Sequence, residues 1–226
     1  MKLVLKLGGH LIPLDLSKET ILAYSGAVKK IHSKGDKIVM VVGGGEMARR
    51  YINTARSLGA DESLCDLIGI EVTRLNARLF ISEMGDRAYP VPPTHIDELK
   101  KGLLESKIIV MGGLQPGQST DAVAALAAEA IDADLLIIAT DVDGIYTEDP
   151  KVSPSAKRIE EITPEDLLDI IAKRGHRAGE YELLDVLGLE VIKRSRITTH
   201  IIDGRDPKNI VKVWRGEKVG SVIRAP

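Results

Sequence analysis

The chain has 226 residues, with 31 lysines and arginines against 33 aspartates and glutamates, and its one cysteine is Cys65. The near balance of charge argues against nucleic acid as a partner, and one cysteine excludes an intrachain disulfide and favours the cytoplasm. No apolar run approaches the roughly 20 residues of a membrane helix, and the first residues lack the apolar region of a signal peptide.

The chain opens with the apolar stretch Leu3 to Leu7, which predicts a buried strand and is followed directly by the turn Gly8-Gly9-His10. Lys6 lies at the carboxyl end of this strand, where ligands gather in an open parallel sheet. We therefore expect Lys6 to meet a phosphate, the alternative being a lysine directed to water. His10 is either a phosphate donor or a loop residue without a role.

A second predicted strand, Lys37 to Val42, runs into Gly43-Gly44-Gly45 and then into a helix with Arg49 and Arg50 in its first turns. Glycines let backbone N–H groups approach an anion, and a helix start adds further donors and a partial positive charge. Either arginine can add a charge-assisted bond to a phosphate. The segment predicts a phosphate site, the alternative being a tight turn that binds nothing.

A third strand, Lys107 to Met111, leads into the loop Gly112 to Thr120 and then into an alanine-rich helix, Ala122 to Ile131. The loop contains glycines, a proline, amides and hydroxyls. It cannot be core, because too much of its backbone would lack hydrogen-bond partners. We interpret it as a binding loop between a buried strand and a helix.

Strands and helices alternate along the rest of the chain. Further helices are predicted at Lys18–His32, Asp61–Met84, Ile96–Leu104, from Thr163, at Tyr181–Lys193 and at Asn209–Trp214, and further strands at Ala88–Val91, Leu135–Ala139, Thr198–Ile202 and Val219–Ile223. This alternation predicts an α/β fold in three layers, an open, mainly parallel twisted sheet between helices. The sequence has no Walker A motif, no Gly-x-Gly-x-x-Gly after a strand and no Cys/His metal cluster.

Six segments together resemble the amino acid kinase family, and within it the archaeal-type UMP kinases. They are Lys6–His10, Val42–Gly45 with Ala48–Ile52, Asp66–Ile70 with Arg74–Ala77, Gly112–Thr120, Ala139–Pro150 and Ala178–Asp185. The resemblance covers essentially the whole chain. It implies a single amino acid kinase domain over residues 1–226, with an acceptor part at roughly 1–130 and an ATP-binding part at roughly 131–226.

The resemblance implies reversible transfer of the γ-phosphoryl group of ATP to UMP, giving UDP and ADP in pyrimidine nucleotide biosynthesis, with Mg²⁺ bound to ATP. It also implies a cytoplasmic homo-oligomer, a hexamer built as a trimer of dimers. No metal-ligating residue is predicted, since Mg²⁺ held mainly by phosphates leaves no motif in the sequence.

The resemblance also implies a role for individual residues. Lys6 would steady the transferring phosphoryl group, and Asp185 would orient Lys6 or the metal. The residues expected to bind ATP are Gly9, His10, Gly45, Arg49, Thr140, Tyr146 and Asp149. The residues expected to bind UMP are Gly44, Asp66, Leu114, Gln115, Pro116, Gly117, Gln118, Ser119 and Thr120.

Two positions depart from the family's commonest pattern. His10 stands where many members have serine, alanine or lysine. Asp121 directly follows the loop Gly112 to Thr120, which we term the acceptor loop, as in bacterial members. Other acceptors therefore stay open, namely isopentenyl phosphate, acetylglutamate, carbamate or aspartate, as does a non-catalytic nucleotide-binding protein.

The helix from Asp61 to Met84 is the predicted subunit contact. Its apolar stripe is longer than one domain can cover, and such a stripe favours association. The stripe consists of Leu64, Ile68, Val72, Leu75 and Leu79.

Overall fold

The computed structural model describes residues 1–33, 35–105, 108–148, 150, 152–174 and 184–224. The strands are β1 (Lys2–Leu7), β2 (Lys37–Val42), β3 (Ile108–Met111), β4 (Leu135–Thr140), β5 (Ile145–Tyr146), β6 (Arg158–Ile159), β7 (Glu161–Ile162), β8 (Thr199–Asp203) and β9 (Ser221–Ile223). The helices are α1 (Lys18–Ile31), α2 (Gly45–Ser57), α3 (Glu62–Met84), α4 (Ile96–Glu105), α5 (Thr120–Ile131), α6 (Pro164–Arg174), α7 (Val186–Ser195) and α8 (Lys208–Trp214). None of these helices is long and apolar enough to cross a membrane.

Strand β1 lies inside a sheet of order β3-β2-β1-β4-β8-β9-β7. It pairs in parallel with β2 and β4, which sets Lys6 beside Val41 and Ile138. Strand β9 runs antiparallel to β8, and β5 pairs with β6 in a separate antiparallel hairpin. The predicted α/β fold with a mainly parallel sheet is confirmed.

Strands β1 to β3, from residues 1–130, form one side of this sheet, and β4, β7, β8 and β9, from residues 131–226, form the other. One continuous sheet thus joins the two parts. Their division into an acceptor part and an ATP part stays a prediction.

Alternate side chains of β1 enter two separate cores, because successive side chains of a strand point to opposite faces. Leu3, Leu5 and Leu7 pack with residues of α1, α3 and α8. Val4 packs on the other face with residues of α4, α5 and α7. Lys6 shares the face of Val4, so its side chain points toward α5.

Several predicted element boundaries were wrong. The strand expected at Ala88–Val91 is reduced to a bridge between Ala88 and Ile108, since the prolines that follow Ala88 cannot donate to a ladder. Helix α7 begins at Val186 with Asp185 as its cap, and residues 181–183 of the predicted helix lie outside the described residues. The two-residue strands β5 to β7 were missed, because so short a run has no readable periodicity.

Candidate active site

The carboxyl ends of the central parallel strands meet at one edge of the sheet, and the two glycine turns lie there. The Gly8 N–H donates to the Ala139 carbonyl at 2.9 Å, and the Gly43 N–H donates to the Leu7 carbonyl at 2.9 Å. Each turn is therefore fixed to the strand beside it. Asn76 of α3 supports the second turn by donating from Nδ2 to the carbonyls of Gly43 and Gly44.

The two turns touch each other through their backbones. A Cβ atom on Gly43 would lie 2.6 Å from the Gly9 nitrogen, so only glycine fits at that contact. Gly45 has φ +69°, and a Cβ atom there would lie 2.4 Å from the Ile12 carbonyl oxygen. The Gly45 nitrogen and Arg49 Nη1 both lie within 4.0 Å of the Cβ position of Gly9. A backbone N–H of the second turn and the Arg49 guanidinium thus lie close to Gly9, and donors of these two kinds suit a phosphate.

Lys6 forms an ion pair with Asp121 at this edge. Its Nζ lies 2.8 Å from Asp121 Oδ1, and the two side chains are 9% and 17% exposed. Nζ also lies 3.7 Å from the Cβ position of Gly8. The ammonium group is therefore held between the first glycine turn and the start of α5. The sequence drew attention to Asp121 only as a departure from a family pattern, and its contact with Lys6 was not predicted.

Asp185 joins the N-termini of α7 and α5. Its Oδ1 accepts the Gly188 N–H at 2.6 Å, and its Oδ2 accepts a hydrogen bond from Ser119 Oγ. Ser119 Oγ in turn accepts the N–H groups of Asp121 and Ala122 at 3.0 and 3.1 Å. In the structure, Asp121 is therefore the carboxylate that pairs with Lys6, and Asp185 bonds to Ser119. The predicted role of Asp185, to orient Lys6 or the metal, stays a prediction.

The predicted acceptor loop and Asp66 come together. Asp66 Oδ2 accepts the Gly117 N–H at 2.8 Å, which joins α3 to the loop. Gln115, Pro116, Gly117 and Ser119 are exposed, while Leu114, Gln118 and Thr120 are half-buried. Thr73, which sequence reasoning missed, accepts the Gly113 N–H at 2.7 Å through Oγ1. The sequence feature that could have identified Thr73 is a polar residue among the apolar positions of a long predicted helix.

The residues predicted for ATP fall into two groups. Gly9, His10, Gly45 and Arg49 lie at or beside the glycine turns, with His10 and Arg49 exposed. Thr140 ends β4, where its Oγ1 donates to Asp141 at 3.3 Å. The Tyr146 hydroxyl donates to Asp143 at 2.8 Å, which raises the pKa of Tyr146. Asp149 lies outside the described residues.

Comparison of the sequence with known proteins identifies the family of this chain. The sequence pattern of the amino acid kinase family matches residues 1–203. The chain belongs to the amino acid kinase family. A uridylate kinase of Methanococcoides burtonii is 44% identical over 219 residues, which span 97% of this chain and 93% of that protein.

Solved structures of the family agree with the fold. The crystal structure of uridylate kinase from Archaeoglobus fulgidus superposes with a TM-score of 0.89 at 42% identity, covering 99% of this chain and 100% of that one. The structure of UMP kinase from Bacillus anthracis gives a TM-score of 0.82 at 21% identity, over 99% and 95% of the two chains. At this low identity, the second comparison shows only that the two chains share the amino acid kinase fold.

One carboxylate of the site, that of Asp121, fits a Mg²⁺ ion that enters with a phosphate ligand. In the ranges that the structure covers, no three His, Cys, Asp or Glu side chains are arranged to hold a metal. Mg²⁺ needs no such cage, because it keeps several waters and binds through one or two carboxylates together with substrate phosphates. The Asp121 carboxylate, beside the glycine turns, offers the oxygen donors that this ion prefers.

Proposed function

We propose that this member of the amino acid kinase family transfers the γ-phosphoryl group of ATP to UMP, reversibly, giving UDP and ADP. The observation that carries the proposal is the meeting of Lys6, the two glycine turns and the loop held by Asp66 at one sheet edge. The 44% identity to a uridylate kinase over nearly the whole chain supports the choice of acceptor.

The residues divide the work of positioning and charge neutralisation, which is what phosphoryl transfer requires of a protein. The N–H groups around Gly9 and Gly45, with Arg49, bind the phosphates of the donor. Gly44 meets the phosphate of UMP, Asp66 meets its ribose hydroxyls, and residues 114–120 surround its base. Thr140, Tyr146 and Asp149 bind the adenosine.

Lys6 neutralises the charge that spreads over the transferring group, and Asp121 keeps the ammonium pointed at it. The acceptor atom is a phosphate oxygen that is already ionised, so the site needs no general base. Mg²⁺ bound to the ATP phosphates would supply further neutralisation beside Asp121.

The experiment that tests this function is a transfer assay with Mg-ATP against UMP, CMP, dUMP, isopentenyl phosphate, acetylglutamate, carbamate and aspartate. Turnover largely confined to UMP is expected. Turnover of another acceptor would overturn the choice of substrate and keep the site. Tight ATP binding without turnover of any acceptor would favour a non-catalytic nucleotide-binding protein.

We further infer that the chain forms a homo-oligomer through α3, and a hexamer is the arrangement we favour. Of the predicted stripe, Val72 is buried in the chain's own core, Ile68 is half-buried, and Leu64, Leu75 and Leu79 are exposed, Leu75 to 58%. Leu67 is exposed on the same helix. This leucine row supports a contact between subunits, because such a surface is costly to leave in water.

One cysteine and an ATP-dependent reaction support a cytoplasmic location.

A further inference from the structure

Arg74 of α3 contacts the acceptor loop through two of the three nitrogens of its guanidinium group. Nε donates to the Gly113 carbonyl at 3.2 Å, and Nη2 donates to the Leu114 carbonyl at 3.0 Å. Nη1 donates to Glu71 on the same helix at 2.8 Å. The side chain is 20% exposed, so these bonds are partly protected from water.

The same helix holds the loop at two further points. Thr73 Oγ1 accepts the Gly113 N–H and donates to the Ile70 carbonyl at 2.6 Å. Asp66 accepts the Gly117 N–H. The loop backbone lies directly on α3, because a Cβ atom on Gly112 would come within 2.3 Å of Thr73 Oγ1.

A trans peptide group is planar, and its C=O and N–H point in opposite directions. By binding the carbonyls of Gly113 and Leu114, Arg74 therefore turns the N–H groups of Leu114 and Gln115 away from itself. Among the described residues, no protein acceptor receives either of these N–H groups. They are two oriented donors on a binding loop. A carbonyl oxygen of a pyrimidine base can accept a hydrogen bond from donors of this kind.

We propose that Arg74 is a positioning residue for the phosphoryl acceptor. It does not touch that substrate, and it fixes the peptide groups of the loop that recognise the substrate's base. The inference rests on the proposed function, since it concerns the same acceptor site. A lysine would not replace Arg74, because one ammonium does not reproduce the planar fork that reaches both carbonyls.

The test compares Arg74→Met and Arg74→Lys with Arg78→Met, a variant of an exposed arginine one turn further along α3. Both Arg74 variants are expected to raise the KM for UMP about tenfold, with kcat and the KM for ATP changed less than about twofold. They are also expected to lower the preference for UMP over CMP. Arg78→Met is expected to match the wild type.

A second measurement needs no substrate. Hydrogen exchange at the amides of Gly113 and Gly117 in the free protein is expected to be faster in Arg74→Met than in Arg78→Met. An equal rise in the KM for ATP, a loss confined to kcat, or unchanged exchange would overturn the proposal. If the wild type phosphorylates a different acceptor, the proposed function fails, and the role of Arg74 is then judged on the KM for that acceptor and on exchange.

Discussion

The Lys6 ammonium lies 2.8 Å from the Asp121 carboxylate, where the end of β1 faces the start of α5. Replacing Lys6 by Met removes the charge that we propose to face the transferring group. We expect kcat to fall by about 10² to 10³, with the KM values changed by less than about threefold. Steady-state kinetics check this, with Lys2→Met at the opposite end of β1 as the control. Unchanged kcat in Lys6→Met would remove Lys6 from the mechanism.

Asp121→Asn keeps the shape of the side chain and leaves Lys6 without its charged partner. We expect kcat to fall by about tenfold and the free energy of unfolding to fall by roughly 2 kcal/mol. Urea unfolding measures the second effect. The double variant with Lys6→Met isolates the pair: effects on stability that simply add would mean that the two residues do not interact.

Gly43→Ala introduces a methyl group into the contact between the two glycine turns. Its Cβ atom would lie 2.6 Å from the Gly9 nitrogen, so the turns must separate. We expect weaker binding of ATP, measured by calorimetry, and a loss of about 1–3 kcal/mol of stability. Gly26→Ala is the matched control, because it lies within α1 with no atom near its Cβ position. That variant should gain about 0.5–1 kcal/mol, and equal behaviour of the two would contradict the tight contact.

Leu75→Glu places a charge in the middle of the leucine row of α3. If subunits associate there, the sedimentation coefficient should fall to that of a smaller species. Leu104→Glu, at an exposed position of α4, should leave the assembly intact. Loss of assembly in both variants, or in neither, would exclude α3 as the specific contact.

We expect His200 to make the free energy of unfolding depend on pH. Burial lowers the pKa of His200 below its ordinary value of 6.5, against a hydrogen bond with the Val219 backbone, and the charge of Arg224 lowers it further. The unfolded chain therefore takes up a proton near pH 6.5 that the folded chain refuses until a lower pH. The contribution of His200 to stability is therefore expected to be complete well above pH 6.5 and to be lost as the pH falls through and below that value.

Urea unfolding at a series of pH values, in the wild type and in His200→Gln, isolates this effect from that of the carboxylates. The difference between the two proteins should grow as the pH falls below the ordinary histidine range. A difference in the free energy of unfolding that stays constant with pH would mean that His200 has the same pKa in the folded and the unfolded chain.

The positions of Lys6 and the glycine turns could be predicted, because parallel strands end at one edge of a sheet whatever packs above them. The Lys6–Asp121 pair could not, since it depends on how α5 lies over β1. The bond between Ser119 and Asp185 likewise joins residues 66 positions apart in the chain. No local pattern signals such a contact.

Helix α3 shows a different limit of sequence reasoning. Its leucines repeat at helical spacing, yet spacing alone does not separate a core stripe from a surface that a second subunit covers. Thr73 and Arg74 were visible as polar residues on this helix, but only the packed structure shows that they face the acceptor loop. Which face of α3 meets the loop is set by packing that the local sequence pattern does not specify.

The contact between the glycine turns has a consequence for how the protein can change over evolutionary time. Because backbone atoms set the spacing at that contact, side chains elsewhere in the chain can vary without adding an atom to it. The loop after β3 is anchored separately, by side chains of α3. If the loop holds the acceptor as we propose, it is a replaceable unit, and we expect a grafted loop with its own anchors to redirect the same transfer chemistry to another acceptor.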